Sequence, residues 1–381
     1  MMIVHLGLRA ALIVYIVLGG SALGEEGSGS CASGDVPQKS VIVPELEPSS
    51  GIGFVVQSWL GDAPPSLKVL EKQVQEAWGG LPFGSYAGGS VKRSGTGHAS
   101  DVSAGAPASK PVQFHSEMSY SFRPPLYVAF VCLDPAEIGG LTKIASTRNV
   151  TALLPPTLVE KMGRLGLRYV RRLGHGAFLK EVDSAKTSPA WYQTWQDFSD
   201  KEEFSAAQAA LETQGYRVKR IPHPNYTHST VEAGAPMGWD HAMLVEWIMP
   251  PFASHPRLPI FHGQQPGDTG KHLFMSMLDF WQMPYDAGYE QRKAGNLSED
   301  NWLPLHVLWG DGTEITVEEH AAISVAYDRA TVHLALQKGD VVIMDNYKWA
   351  HGRTSYSNAP NGGSKRSVMA LLSENIPRTQ A

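Results

Sequence analysis

Five short, almost wholly apolar runs narrow the fold of this chain more than any other part of its sequence: Leu126 to Leu133, Leu244 to Met249, Val332 to Leu336, Val341 to Asp345 and Ser367 to Leu372. Runs of this length, rich in β-branched residues and bounded by turn formers, read as strands. Two helices are expected beside them. Leu67 to Trp78 spaces its apolar residues along one helical face behind Ser66 as N-cap, and Phe204 to Gln214 follows an acidic lead. No regular helices separate the strands, and no fixed repeat of ~20–50 residues recurs, so doubly wound sheets and solenoids are disfavoured. An α+β protein with a sandwich or barrel core and added helices fits the pattern.

One folded domain is expected over residues 41–376. Ahead of it, residues 1–24 carry the apolar run Ala10 to Leu23 behind Arg9, closing on the small residues of Ala22-Leu23-Gly24. That run falls short of the ~20 residues a bilayer span requires, so it reads as a cleaved signal peptide, with a signal anchor as the alternative, and no stable membrane span is expected. Residues 25–40 lack an apolar period and read as a flexible linker. Gly84 to Lys110, rich in Gly, Ser and Ala, reads as a long irregular loop of the kind that forms lids. Sequons at Asn149, Asn225 and Asn296 would be usable in the secretory pathway.

The 32 basic and 37 acidic residues are well mixed and leave a net charge of −5, so no basic stripe offers a site for nucleic acid. Cys31 and Cys132 are too few for a disulfide framework or a Cys-rich zinc site, and any metal must be held by His and carboxylate. Of the 14 histidines, only His115 has an acidic residue two positions on, Glu117. In an extended chain residues i and i+2 face the same side, so this pair could close on one metal ion. Alone, such a pair is also common on protein surfaces. Glu318-Glu319-His320 reads as a solvated helix face, and Asp240-His241, His223 and His228 as surface structure.

Further motifs surround the pair in a set order. Gly139-Gly140-Leu141-Thr142 follows the strand with Cys132, Lys338-Gly339-Asp340 leads a strand into Asp345-Asn346, Ala350-His351-Gly352-Arg353 comes next, and Lys365-Arg366 opens the final strand. Over about Val112 to Leu372 this order resembles the taurine dioxygenase and clavaminate synthase-like family of iron(II)/2-oxoglutarate-dependent oxygenases. Trp195-Gln196-Asp197-Phe198 and Trp309-Gly310-Asp311-Gly312 resemble motifs of its amino-acid-hydroxylase branch.

The resemblance implies a double-stranded β-helix, a jelly roll with flanking helices. It implies a dioxygenase that takes Fe(II), 2-oxoglutarate and O₂, oxidises a small molecule such as an amino acid or another small acid, and releases succinate and CO₂. Hydroxylation is the expected outcome, with desaturation and ring closure left open. By the same resemblance His115, Glu117 and His351 are the metal ligands, a two-His-one-carboxylate set, and Thr142 and Arg366 hold the distal carboxylate of 2-oxoglutarate. A planar guanidinium suits that carboxylate, since it can donate two parallel hydrogen bonds. Arg353 reads both ways, as a substrate-binding cation or as a residue holding its loop. Asp345 and Asn346 read as orienting the His351 loop, and Trp195, Trp309 and Trp349 as core. Glu117 keeps the metal-binding carboxylate that halogenases of the family lack.

Two other readings stay open at this level. A jelly roll can bind a metal or small acid without turning anything over, and the leader and sequons would suit a secreted interaction module. An oxygenase with a leader is expected in an endomembrane lumen, the secretory pathway or a plastid, or in the cytoplasm if the leader is not functional.

Overall fold

The computed structural model of the chain describes residues 38–41, 54–59, 66–86, 94–96, 99–101, 108–174, 194–222, 241–253, 271–280, 305–357 and 366–377. The signal-peptide reading of residues 1–24, the sequons at Asn225 and Asn296 and the surface readings of His223, His228 and Asp240 lie outside these residues. Strands β1 (Gln38–Val41) and β2 (Phe54–Trp59) precede helix α1 (Leu67–Ala77), and β3 (Ser94–Thr96), β4 (Ala99–Asp101), β5 (Val112–His115), β6 (Tyr127–Asp134), β7 (Ile138–Gly139) and β8 (Thr142–Ser146) follow. Then come α2 (Thr147–Leu153), α3 (Pro156–Leu165), β9 (Leu167–Leu173), α4 (Trp195–Ser199), α5 (Phe204–Thr213), β10 (Arg217–Pro222), β11 (His241–Met249), β12 (Phe252–Ala253) and β13 (His272–Leu273). The last stretch holds α6 (Met277–Phe280), β14 (Leu305–Trp309), α7 (Val317–Ala330), β15 (Thr331–Leu334), β16 (Val341–Asp345), β17 (Trp349–Arg353), β18 (Tyr356–Ser357) and β19 (Ser367–Leu372).

The central strands explain why their sequences read as continuous apolar runs rather than as alternation. In β6, Tyr127, Ala129 and Val131 face one way and Val128, Phe130 and Cys132 the other, and all six are buried. β16 and β19 flank it antiparallel and alternate in step, with Val342 and Ala370 each opposite Phe130. One face of this sheet packs with Leu70, Val74 and Trp78, a helical stripe on α1. The other face joins a second cluster with Ile144, Ala145, Trp349 and Ala350 of a facing sheet. Burying each large aliphatic or aromatic side chain contributes about 1.5–3 kcal/mol, so these two clusters carry much of the driving force.

The main sheet runs β1-β2-β16-β6-β19-β4-β3 and the facing sheet β15-β8-β17-β5, every neighbouring pair antiparallel. This is the expected double-stranded β-helix, with α1 covering its outer face. A further antiparallel sheet, β10-β11-β9-β14, extends the core through Tyr169, Trp247 and Trp309. Trp195, Trp309 and Trp349 are buried, as expected of core residues.

Three local readings change. The segment Gly84 to Lys110 holds a β3–β4 hairpin that pairs onto β19, because edge pairing uses backbone groups that a Gly- and Ser-rich sequence supplies as well as any other. β1 begins at Gln38, inside the stretch read as linker, and pairs with β2 for the same reason. Glu319 is no solvated residue: it forms a capping box with Thr316 and binds Lys161 and the Trp309 indole N–H. Among the described residues no helix is long and apolar enough to cross a membrane.

Candidate active site

β17 lies between β8 and β5 in the facing sheet, and its register places His351 opposite His115 on one side and Ile144 on the other. Opposed residues on paired strands project to the same face. The two imidazoles therefore meet inside the barrel, their centroids 4.4 Å apart, and Phe130 of the main sheet closes edge-on over His351 at 4.9 Å. Beyond this pair the register slips, because Arg353 lies opposite Val112 and β5 carries one extra residue. That bulge orients the first histidine. The Gln113 carbonyl lies 2.9 Å from His115 Nδ1, and since a carbonyl only accepts, Nδ1 carries the proton and Nε2 is the nitrogen with a lone pair to offer a metal. Gly352 permits the close approach of the two strands, since a Cβ there would come within 2.8 Å of the Val112 carbonyl oxygen.

Glu117 arrives by a different route from the strand alternation expected of the His115–Glu117 spacing. β5 ends at His115, and a turn over residues 117–120 carries the carboxylate inward. Met118, fully buried, sits in that turn at a φ of 52°, a left-handed conformation that costs a non-glycine residue about 1–3 kcal/mol and persists only where the surroundings hold it. The holding group is Asn346. Its Oδ1 accepts from the Glu117 N–H at 2.7 Å, and its Nδ2 donates to the Glu117 and Pro125 carbonyls at 2.9 Å each. Asp345, by contrast, accepts from Tyr347 N–H and shapes the turn before β17. The joint role expected of these two neighbours is divided: Asp345 serves the His351 side and Asn346 the Glu117 side.

The outcome is a cluster in which Glu117 Oε2 lies 3.5 Å from His351 Nε2, and the candidate ligand atoms of half-buried His115 and buried Glu117 and His351 all lie within 4.8 Å of one another. Glu117 and His351 are 3% and 4% exposed. A buried carboxylate beside one buried and one half-buried imidazole favours a cation, and two nitrogens with one oxygen suit iron(II) while leaving further coordination positions open. The Tyr86 hydroxyl also donates to Glu117 Oε2, at 3.1 Å. Nothing in the sequence pointed to it, since it stands 31 residues away in the Gly- and Ser-rich stretch.

A second polar cluster adjoins the first. Arg353 lies opposite Thr142 on the face of β17 that carries His351. Arg353 Nη2 donates to the Lys110 carbonyl at 3.0 Å, and its guanidinium packs 4.6 Å from the Tyr356 ring, which Arg366 also approaches, at 5.3 Å. Both arginines and Thr142 are buried. The glycine pair ahead of Thr142 makes room for Arg366: Gly140 sits at a φ of +67°, and a Cβ there would lie 3.1 Å from Arg366 Nε. Arg366 also lies near the Cys132 thiol, which burial pushes from 9.0 up to about 12 while the arginine's charge pulls the other way. Two buried guanidiniums on one ring form a site suited to a carboxylate.

Comparisons with known proteins identify relatives of the chain. The chain is 24% identical over 272 residues to the dapdiamide synthesis protein DdaC of Enterobacter agglomerans, covering 71% of this chain and 70% of that one. Among solved structures it is similar to an asparagine oxygenase in complex with Fe(II), 2S,3S-3-hydroxyasparagine and succinate, at 14% identity and a TM-score of 0.39 over 81% of this chain and 79% of that one. It is also similar to PvcB of Pseudomonas aeruginosa, at 13% identity and a TM-score of 0.37 over 86% and 78%. Residues 71–371 match the taurine catabolism dioxygenase TauD, TfdA family, and the chain belongs to that family of iron(II)/2-oxoglutarate-dependent dioxygenases.

Proposed function

We propose that this dioxygenase hydroxylates an amino acid or another small acid, with iron on His115, Glu117 and His351 and the distal carboxylate of 2-oxoglutarate on Thr142 and Arg366. The observation that carries the reading is the cluster of two imidazoles and one carboxylate, its donor atoms within 4.8 Å of one another, with Glu117 and His351 buried and His115 half-buried. Bound iron and 2-oxoglutarate supply the activation of O₂, with succinate and CO₂ as the by-products. The chain supplies positioning and a dry site. His115 is held in one tautomer by Gln113, Glu117 is fixed by Asn346, and Phe130 and Ile144 shield His351 from water. The Arg366 guanidinium can grip a carboxylate through two parallel bonds, with the Thr142 hydroxyl as a further donor.

Arg353 supports the acidic substrate. The Lys110 carbonyl takes a bond from one of its five N–H donors, so the same side chain can hold that loop and offer positive charge on the face of β17 that carries His351. The synthesis role in the name of the dapdiamide relative supports a small-molecule substrate. The apolar leader supports delivery to an endomembrane lumen or a plastid.

The test is an anaerobic titration of the purified protein with iron(II) and 2-oxoglutarate, followed through the visible charge-transfer band of their chelate. The band should form in the wild type and vanish in His351→Ala. Amino acids and small acids are then screened for substrate-dependent succinate release, with Arg353→Gln expected to raise KM for an acidic substrate. No band in the folded wild type would refute the reading.

A further inference from the structure

Residues 82–86 form a strap between α1 and the metal cluster. At its start the Leu81 carbonyl accepts from the Trp78 indole N–H at 3.0 Å and from the Gln75 side chain at 3.2 Å, which ties it to the end of α1. The end of β19 and the residues after it hold the rest. Gly84 N–H donates to the Leu372 carbonyl at 2.9 Å, Glu374 N–H to the Pro82 carbonyl at 2.7 Å, and the Asn375 side chain to the Ser85 carbonyl at 2.7 Å. Phe83 forms a bridge with Ser373, and any Cβ on Gly84 would overlap the Ser373 carbonyl oxygen. A strap pinned this densely to a central strand fixes where Tyr86 emerges. Its ring packs on the core, and its hydroxyl donates to Glu117 Oε2 at 3.1 Å. That oxygen is the one 3.5 Å from His351 Nε2, on the metal side of the carboxylate.

We propose that Tyr86 is a positioning residue for the metal centre, one that holds the Glu117 carboxylate with Oε2 turned to the iron and draws electron density from that oxygen. The inference rests on the iron assignment given above. A carboxylate oxygen has two lone pairs and can serve a phenol and a cation together. The Asn346 bonds reach the Glu117 backbone, whereas the Tyr86 hydroxyl reaches the carboxylate itself. Hydrogen bonds of this kind to metal-binding groups are worth about 10–100-fold in metal affinity.

The experiment titrates the whole chain anaerobically with iron(II) alone and then with 2-oxoglutarate, comparing wild type, Tyr86→Phe and a protein carrying a fluorotyrosine at position 86. Phenylalanine keeps the ring and removes the donor; fluorotyrosine keeps the shape and strengthens the donor. Tyr86→Phe should weaken iron binding by about tenfold or more with the melting temperature of the metal-free protein unchanged. Its chelate band should move to lower energy, because Glu117 then donates more strongly, and the fluorotyrosine band should move to higher energy. An unchanged iron affinity and unshifted bands would overturn the proposal, and so would bands that move the same way in both proteins. The fluorotyrosine arm decides the matter if Tyr86→Phe does not fold. Absence of iron binding in the wild type would instead sink the iron assignment.

Discussion

Replacing Asn346 with alanine tests how Glu117, the proposed metal-binding carboxylate, is held. Asn346 is fully buried and makes three side-chain hydrogen bonds, accepting from Glu117 N–H and donating to the Glu117 and Pro125 carbonyls. Each of the three is worth about 1 kcal/mol net, and a group left stranded in the interior costs roughly 1–3 kcal/mol, so the loss should come to about 4–6 kcal/mol. Against a total stability of about 5–15 kcal/mol, that is large and measurable by urea denaturation of the metal-free protein. The same bonds hold the turn with Met118 at positive φ, so their loss should let Glu117 drift and weaken iron(II) binding by about 10–100-fold. Asn346→Asp is the sharper variant, since it keeps the acceptor toward Glu117 N–H but sets a carboxylate against two carbonyl oxygens. It should be at least as damaging as alanine although it is nearly isosteric. A metal-free Asn346→Ala protein within about 1 kcal/mol of wild type, or one binding iron with undiminished affinity, would refute this account.

Three further outcomes follow from neighbouring residues. Gly140→Ala forces a Cβ into a left-handed position, 2.8 Å from Ala136 Cβ and 3.1 Å from Arg366 Nε, so it should cost about 1–2 kcal/mol in denaturation and raise KM for 2-oxoglutarate. Arg366→Lys keeps the charge but loses the fork, and steady-state kinetics should show KM for 2-oxoglutarate rising about tenfold or more, equivalent to about 1.4 kcal/mol. Cys132 has its thiol raised from 9.0 to about 12 by burial, so its contribution to stability is full below pH 9 and falls as pH climbs toward 12. Cys132→Ala should flatten that alkaline loss, and peptide mapping after thiol alkylation at pH 8 should find Cys132 unmodified in the folded wild type.

The parts of the site legible in the sequence are those where chemistry and chain order coincide. His115, Glu117 and His351 could be singled out as candidate metal ligands because such ligands are of few residue types, and the glycine pair, the HGR segment and the final arginine kept family order around them; the structure brings the three together. The route was less legible than the result. Strand alternation brought Glu117 to notice, yet the residue stands in a turn after β5, and what sets its direction is Asn346, 229 positions further on. The central strands likewise gave up their type but not their partners: with both faces of β6 buried, its pattern has no polar side to say which sheet it faces.

What stayed hidden is what depends on the backbone rather than on side-chain type. The β3–β4 hairpin joins β19 through a stretch of Gly, Ser and Ala that has no strand pattern, because an edge strand needs only its N–H and C=O groups. The bulge in β5 is a matter of register, and the Gln113 carbonyl that orients His115 belongs to a residue whose side chain plays no part. Tyr86 combines both difficulties. A tyrosine in a Gly-rich segment carries no pattern, and it is the bonds of residues 82–85 to the end of β19 and the residues after it that bring its hydroxyl to the carboxylate. The residues that choose the ligand set are therefore readable from composition and order. Those that aim it are readable only once the strands are paired, and substitutions among the second group should move metal affinity more than their bland chemistry suggests.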